Sequence, residues 1–368
     1  MLTYQAMQKE IPAEVLEAFI TYPDIPIQSA GEIKVERMNG GLINHTYKVT
    51  SGFKPGLLLQ QINKKVFANP GDVQENYMAI WQYAISSSTG LRLPAPNYFD
   101  ENCTLFIDNQ ENYWRAFEFI DDARMFTIAE NPEQANATAT TFATFTSAFS
   151  DFNVSLLKTV IPGFHDLQLR YRQFEEAINV GSNLRLSKAG SIITALKQRE
   201  RYKHFYNYII ASDEFPQRVM HHDAKIANVL FNKQTGNVIC PVDFDTVMPG
   251  YFFSDLGDMI RSMVGSEEEN STNADSMEIR KDFYEVILSG YMDVIGNQLT
   301  DSEKKYIHNA GLLMIYMQAL RFLGDYLNGD VYYRINYPEQ NFDRAKNQFT
   351  LLQKLEDFLN KHYHFRNE

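Results

Sequence analysis

The chain has 368 residues and a formal net charge of −12; that length suits two lobes better than one small core, and that charge argues against nucleic-acid binding, which needs clustered Lys and Arg. No run is apolar enough to span a bilayer, the opening MLTYQAMQKE lacks a basic-then-apolar signal pattern, and two cysteines, Cys103 and Cys240, make neither a disulfide framework nor a metal cage. The expectation is a cytoplasmic protein with no membrane or nucleic-acid partner, its acidity serving solubility or, less simply, a cationic acceptor.

Glu14 to Ile20 predicts a short leading helix, and Ile33 to Arg37 alternates as a strand. Gly40 and Gly41 follow between strand-like runs. Two glycines let the backbone approach something closely, for instance nucleotide phosphates. A Gly-Gly pair in a hairpin is more often a plain turn. Leu57 to Asn63 is the next strand and contains Gln61. Asp72 to Ile85 carries apolar residues at helical spacing, with Glu75 either a functional helix carboxylate or a solvated one. Cys103 to Ile107 and Tyr113 to Ile120 are two further strands joined by a turn. From Asn131 the pattern is helical. Phe142, Phe145, Phe149 and Phe152 form a stripe that reads as core packing. Asp166 to Asn179 and Ser187 to Ser212 predict two more helices, and Arg218 to Met220 a short strand.

Next comes the stretch that carries chemistry, HHDAKIANVLFNKQTGNVICPVDFD, from His221 to Asp245. Asp223 can take a proton from an acceptor hydroxyl. Lys225 can reach a transferring phosphate. Asn228 and Asp243 are hard oxygen ligands of the kind Mg2+ takes. The spacing D-x-K-x-x-N is that of a kinase catalytic loop. Val229 to Phe231 and Val238 to Val242 read as strands about the turn Lys233 to Asn237, a hairpin that returns Asp243 toward Asn228. One Asp alone would be an ordinary turn residue; the ordered set is not.

Ser254 or Asp255 reads as the N-cap of a helix, or Asp255 and Asp258 brace the catalytic loop. Glu267 to Ser276 is a polar insertion, expected to be exposed and mobile. Glu303 to Leu327 predicts one long helix. In it Arg321 and Asp325 form an i,i+4 ion pair, or face a cleft and hold a polar acceptor. Phe342 to His362 is a last amphipathic helix.

HHDAKIANVLF resembles the catalytic loop of the aminoglycoside phosphotransferase and choline kinase superfamily, with His222 where Gly or Asn is usual. PVDFDTVMPGYFFSDLGD and RFLGDYLNGDVYY resemble more particularly the N-acetylhexosamine 1-kinase branch. The resemblance spans about Gly40 to Tyr333. It implies that Gly40 and Gly41 belong to a nucleotide loop, with His45 toward the acceptor. It places an adenine-binding hinge near Glu118 to Asp121, with Glu118 and Ile120 toward the nucleotide. It puts Gln61 where the branch has Arg, so the usual phosphate cation is missing there unless Lys64 or Lys65 replaces it. It makes Asp255 structural and gives Arg321 a sugar contact, with Asp325 beside it.

The reading is an α+β, two-lobed protein-kinase-like fold. A small antiparallel β lobe with a helix (1–120) binds nucleotide, and a larger, mainly helical lobe (121–368) carries catalysis and the acceptor. ATP and Mg2+ would lie in the cleft. The expected reaction is phosphorylation of the anomeric hydroxyl of an N-acetylhexosamine. The alternatives are another small acceptor (aminoglycoside, choline, homoserine or another sugar) and a catalytically silent kinase-like binding protein, motivated by Gln61.

Overall fold

The computed structural model describes residues 11–21, 33–38, 43–52 and 54–365. Two compact units divide the chain. One holds the chain up to Arg124 with Phe152–Pro162 and Leu230–Met248; the other holds Met125–Asp151, Gly163–Val229 and the chain from Pro249. The first is built on an antiparallel sheet and the second on helices, so the fold is α+β.

In the first unit, helix α1 (Ala13–Thr21) precedes strands β1 (Lys34–Arg37), β2 (His45–Ser51) and β3 (Lys54–Gln61). Helix α2 (Pro70–Ser86) follows, then β4 (Pro96–Asn97), β5 (Leu105–Ile107), β6 (Tyr113–Glu118) and β7 (Ala123–Arg124). The sheet order is β1-β2-β3-β6-β4, with β5 also on β6, and every pairing is antiparallel. Alternation sorts the strands into two faces. Tyr47, Val49, Leu57, Leu59, Trp114 and Ala116 bury against Ile11, Val15, Leu16, Phe19 and Ile20 of the α1 segment. On the opposite face Phe117 meets Tyr77 of α2, ring centroids 4.9 Å apart.

The helical unit starts with α3 (Pro132–Ala148), capped by the Asn131 side chain on the Gln134 N–H. Then come α4 (Leu167–Val180), α5 (Asn183–Lys197), α6 (Arg201–Ala211) and strand β8 (Arg218–Met220). The single helix expected over Ser187 to Ser212 is therefore two. Tertiary bonds explain the break: Arg199, Arg201 and Tyr202 all converge on the Glu356 carboxylate.

Strands β9 (Val229–Asn232) and β10 (Val238–Pro241) neighbour each other, and β9 also pairs with β7. Their turn closes through Asn232 N–H to the Asn237 carbonyl (2.8 Å), with Gly236 at φ 73°. This is the expected hairpin with the expected glycine.

Helices α7 (Phe253–Met263), α8 (Lys281–Ile295), α9 (Asp301–Lys305), α10 (Asn309–Leu327) and α11 (Gln340–Tyr363) complete the helical unit. There α3 packs along α8, and α10 packs against α4, α7 and α11. The long helix expected from Glu303 is split: Thr300 and Glu303 form a capping box that starts α9, and the chain turns after Lys305, before α10. The 267–276 insertion is pinned: Glu267 accepts from Ser271 and Ser276, and Asn270 accepts from Gln340 and Arg344. Among the described residues no helix is long and apolar enough to cross a membrane.

Candidate active site

β8 delivers His221, His222 and Asp223. His221 is fully buried, its ring 4.9 Å from Phe142 and 6.0 Å from Phe145. The phenylalanine stripe on α3 thus packs in part against the catalytic-loop histidine. The next residue, His222, has φ 66°, in the left-handed region. Asp255, at the start of α7, accepts from both the His221 N–H (2.9 Å) and the His222 N–H (2.7 Å). Neither Ser254 nor Asp255 is the N-cap; that position is Phe252, with no side-chain cap bond. Asp255 braces the loop instead, and Ser254 Oγ lies 2.7 Å from His222 Nδ1 and 2.6 Å from His165 Nδ1. Gly250 is required here: a Cβ on it would stand 2.5 Å from the His222 ring.

The loop then presents Asp223, with 29 % of its side chain exposed. Lys225 Nζ donates to Asp223 Oδ2 at 2.9 Å, and Asn228 Nδ2 donates to the Asp223 carbonyl and to Oδ2, both at 2.8 Å. Burial works to raise the Asp223 carboxyl, but Lys225, His221 and Asn228 together hold it below its ordinary value. It is therefore ionised and oriented, the state a general base needs. Because Asn228 spends its amide nitrogen on Asp223, its Oδ1 is the atom left over for a further partner. Asp258 is buried behind the loop and raised by that burial against the opposing charge of Arg261, which it binds at 2.8 Å.

In the sheet unit, Gly40 and Gly41 lie outside the described residues. Asn44, just after them, donates to Asp245 and accepts from the Asn63 N–H at 3.0 Å. Asp243 is exposed, at φ 66°, directly before a 3-10 turn over Phe244–Thr246. His45 Nδ1 is 3.2 Å from Arg37 Nη2 at the exposed end of β2. Gln61 pairs with Trp114 across β3 and β6, so it points to the α1 face. Gln60, its neighbour, faces the other way and binds Arg115, and Arg115 binds Asp245. Lys64 donates to the Glu111 carbonyl and is exposed, and Glu75 is exposed too. Glu118 N–H donates to the Ala95 carbonyl, and its carboxylate accepts from the Ala95 N–H. The Ile120 N–H makes no backbone hydrogen bond among the described residues. Sequence reasoning missed Arg115 and Asp245. The available signal was an Arg in the middle of the strand Trp114-Arg-Ala-Phe, since a strand-interior Arg is buried only when paired.

On α10, Asp325 is not paired with Arg321. It accepts from the Val331, Tyr332 and Tyr333 N–H groups at 2.8–3.0 Å and from Asn341 at 2.9 Å. Its carboxylate shapes the loop and is fully occupied by it, which corrects the acceptor-binding expectation for Asp325. Arg321 lies over the rings of Phe164, Tyr333 and Tyr332 at 5.6, 5.5 and 5.9 Å. Phe164 stacks on His165 at 4.5 Å, and the His165 ring is 5.1 Å from His222. A continuous set of contacts thus runs from Asp223 through His222, His165 and Phe164 to Arg321. Burial, then the charges of His222, Arg321 and Arg170, pushes His165 well below the ordinary histidine value, so it is neutral.

Solved structures share this fold. An aminopropanol kinase associated with a microcompartment aligns over 95% of this chain and 98% of its own, with TM-score 0.61 and 15% identity. An aminoglycoside phosphotransferase from Alicyclobacillus acidocaldarius aligns over 93% and 98%, with TM-score 0.60 and 12% identity. An amicoumacin kinase in complex with AMP-PNP, Ca2+ and Ami aligns over 97% and 96%, with TM-score 0.57 and 13% identity. The family model described as phosphotransferase enzyme family (APH) matches residues 34–282, which takes in the sheet, the catalytic loop and Asp243. A match across more than half of the chain is membership: this chain belongs to the phosphotransferase enzyme family and is a small-molecule phosphotransferase.

Proposed function

We propose that this protein transfers the γ-phosphoryl group of ATP to the anomeric hydroxyl of an N-acetylhexosamine, with Mg2+ held by Asn228 and Asp243. The donor set supports the metal: two hard oxygens, with the Asn228 oxygen left over by the bonds of its nitrogen. Among the described residues no three His, Cys, Asp or Glu side chains are grouped to cage a metal. Mg2+ sites of this kind complete their shell with phosphate oxygens and water. The ion supplies charge neutralisation on the phosphates. Asp223 orients the acceptor hydroxyl and takes its proton, and Lys225 steadies Asp223 before the acceptor arrives. Glu118 and Ile120 offer backbone groups to adenine.

The observation that carries the acceptor reading is the charge around the contacts from His222 to Arg321. Arg321 and Arg170 stand there, His165 is neutral, and Asp255, Asp258 and Asp325 are all committed to other partners. A cationic acceptor needs available carboxylates or aromatic faces, whereas a neutral polyol with an amide needs mixed donors and acceptors. The D-F-D-T-V-M-P-G and R-F-L-G-D-Y segments support the same acceptor by resemblance. A cationic amino alcohol is the second reading, favoured by the aromatic faces of Phe164, Tyr332 and Tyr333 and by kinases of similar fold described as acting on such acceptors.

The test is ADP release with ATP and Mg2+ across amino sugars, neutral sugars, choline, ethanolamine and aminoglycosides. Turnover on N-acetylglucosamine or N-acetylgalactosamine, with phosphate on the anomeric carbon, is the expected result. Turnover on choline or an aminoglycoside with no response to amino sugars would overturn the acceptor and keep the kinase.

A further inference from the structure

Kinases place a lysine on the third strand, where it binds the α- and β-phosphates and pairs with a helix carboxylate. Here β3 ends in two neutral amides, Gln60 and Gln61, and the candidate helix carboxylate Glu75 is exposed. The face opposite α1 nevertheless carries cations, Lys34 on the outer strand β1, Lys48 on β2 and Arg115 on β6. Lys48 is occupied at its edge, 3.3 Å from Asp121 and 3.8 Å above the Phe119 ring. Arg115 stands on β6 directly across from Gln60. It donates to Gln60 Oε1 through Nε (3.1 Å) and Nη2 (2.9 Å), and through Nη2 to Asp245 Oδ1. Its Nη1 makes no hydrogen bond among the described residues. The other Asp245 oxygen accepts from Asn44, four residues after Gly40, and Asp245 itself is two residues after Asp243.

This pair is almost wholly buried, with side chains 3% and 4% exposed. A buried ion pair is no more stabilising than apolar residues of the same volume. Its position explains its presence better than stability does. It ties the strand that lost its cation to the turn after Asp243 and to the segment after the glycines.

We propose that Arg115, on β6, is the nucleotide-phosphate cation of this protein, and that Asp245 holds it in place of a helix carboxylate. Arg115 then offers Nη1 to phosphate oxygens, Gln60 fixes the plane of the guanidinium, and Asp245 transmits its position to the metal-binding turn. The proposal rests on the reading of the protein as an ATP-dependent kinase.

The test is calorimetric binding of ATP, ADP and adenosine, each with Mg2+, to four variants of the full chain. Arg115→Gln/Asp245→Asn removes both charges and leaves no buried ion unpaired, so it keeps the fold. It is expected to weaken ATP and ADP by about 10- to 150-fold, the worth of one hydrogen bond to a charged group, and to leave adenosine within about twofold. Arg115→Lys keeps the charge and is expected to fall between the two. Gln60→Lys in an Arg115→Gln background returns a cation to β3 facing Asp245 and is expected to recover ATP affinity over Arg115→Gln alone. Equal loss for adenosine and ATP would show a merely structural pair and overturn the proposal. So would unchanged ATP affinity in the double variant, or no recovery with Gln60→Lys. If the wild-type protein itself binds no ATP, the kinase reading fails and this one with it, and that outcome is distinct from failure of the variants.

Discussion

Replacing Asp255 by Ala tests the support of the catalytic loop. Asp255 is fully buried and takes the backbone N–H groups of His221 and His222. Alanine leaves both donors unsatisfied in the interior, at about 1–3 kcal/mol each, so roughly 2–6 kcal/mol in total. Asparagine keeps one acceptor oxygen and turns a donor toward the other N–H, so roughly half that loss is expected. Domains have about 5–15 kcal/mol to lose. The assay is urea unfolding at pH 7, with the slope checked for constancy. A loss under about 1 kcal/mol for Asp255→Ala would refute the bracing role. The pH dependence gives a second reading of the same group. Burial pushes the Asp255 carboxyl up to about 7 from its ordinary 3.8, against the two N–H bonds. Between those values the unfolded chain has released a proton that the folded chain retains. The contribution of this group to stability is therefore full below about pH 4 and declines as pH rises to about 7. Asp255→Asn lacks it, so the advantage of the wild type over Asp255→Asn is expected to shrink across that window.

Lys225→Ala removes the first charge that opposes burial at Asp223. The Asp223 carboxyl then rises, and the acid limb of the kcat/KM profile is expected to move to higher pH; an unmoved limb would remove Lys225 from that role. Asp243→Ala is expected to abolish Mg2+-dependent ADP release with ATP still bound, and wild-type turnover in it would end the ligand assignment. Gly250→Ala drives a Cβ into the His222 ring and is expected to cost about 1–3 kcal/mol in unfolding experiments. His222→Gly should relieve most of that cost, which a double-mutant cycle would read as coupling.

The parts of the site legible in the sequence were those whose chemistry is local. D-x-K-x-x-N set Asp223, Lys225 and Asn228 in one hydrogen-bonded group, and the Gly236 turn set the hairpin before Asp243. What failed was decided by distant groups. Leu57-Leu-Leu-Gln-Gln has no alternation, so nothing in it tells which glutamine faces which side. Pairing with Trp114 turns Gln61 toward α1 and leaves Gln60 opposite. Arg115 and Asp245 are 130 residues apart, beyond any periodicity. The helix break near Arg199 and part of the bracing task of Asp325 likewise follow from tertiary bonds, which override propensity.

Two of the candidate residues and their neighbours, His222 and Asp243, hold left-handed backbone without being glycine. Such conformations cost roughly 1–2 kcal/mol and persist where surrounding bonds over-determine them. For His222 those bonds are visible: Asp255 fixes its N–H, Ser254 and the Pro249 carbonyl fix its ring, and Gly250 leaves it room. A glycine, usual at this place in similar loops, would keep the Asp255 bond and release the strain. It would also remove the ring that joins Ser254, His165 and, through Phe164, Arg321 to the residue beside Asp223. The strain is thus retained for a contact that connects the proposed general base to the proposed acceptor side, and a loop chosen for stability alone would not keep it.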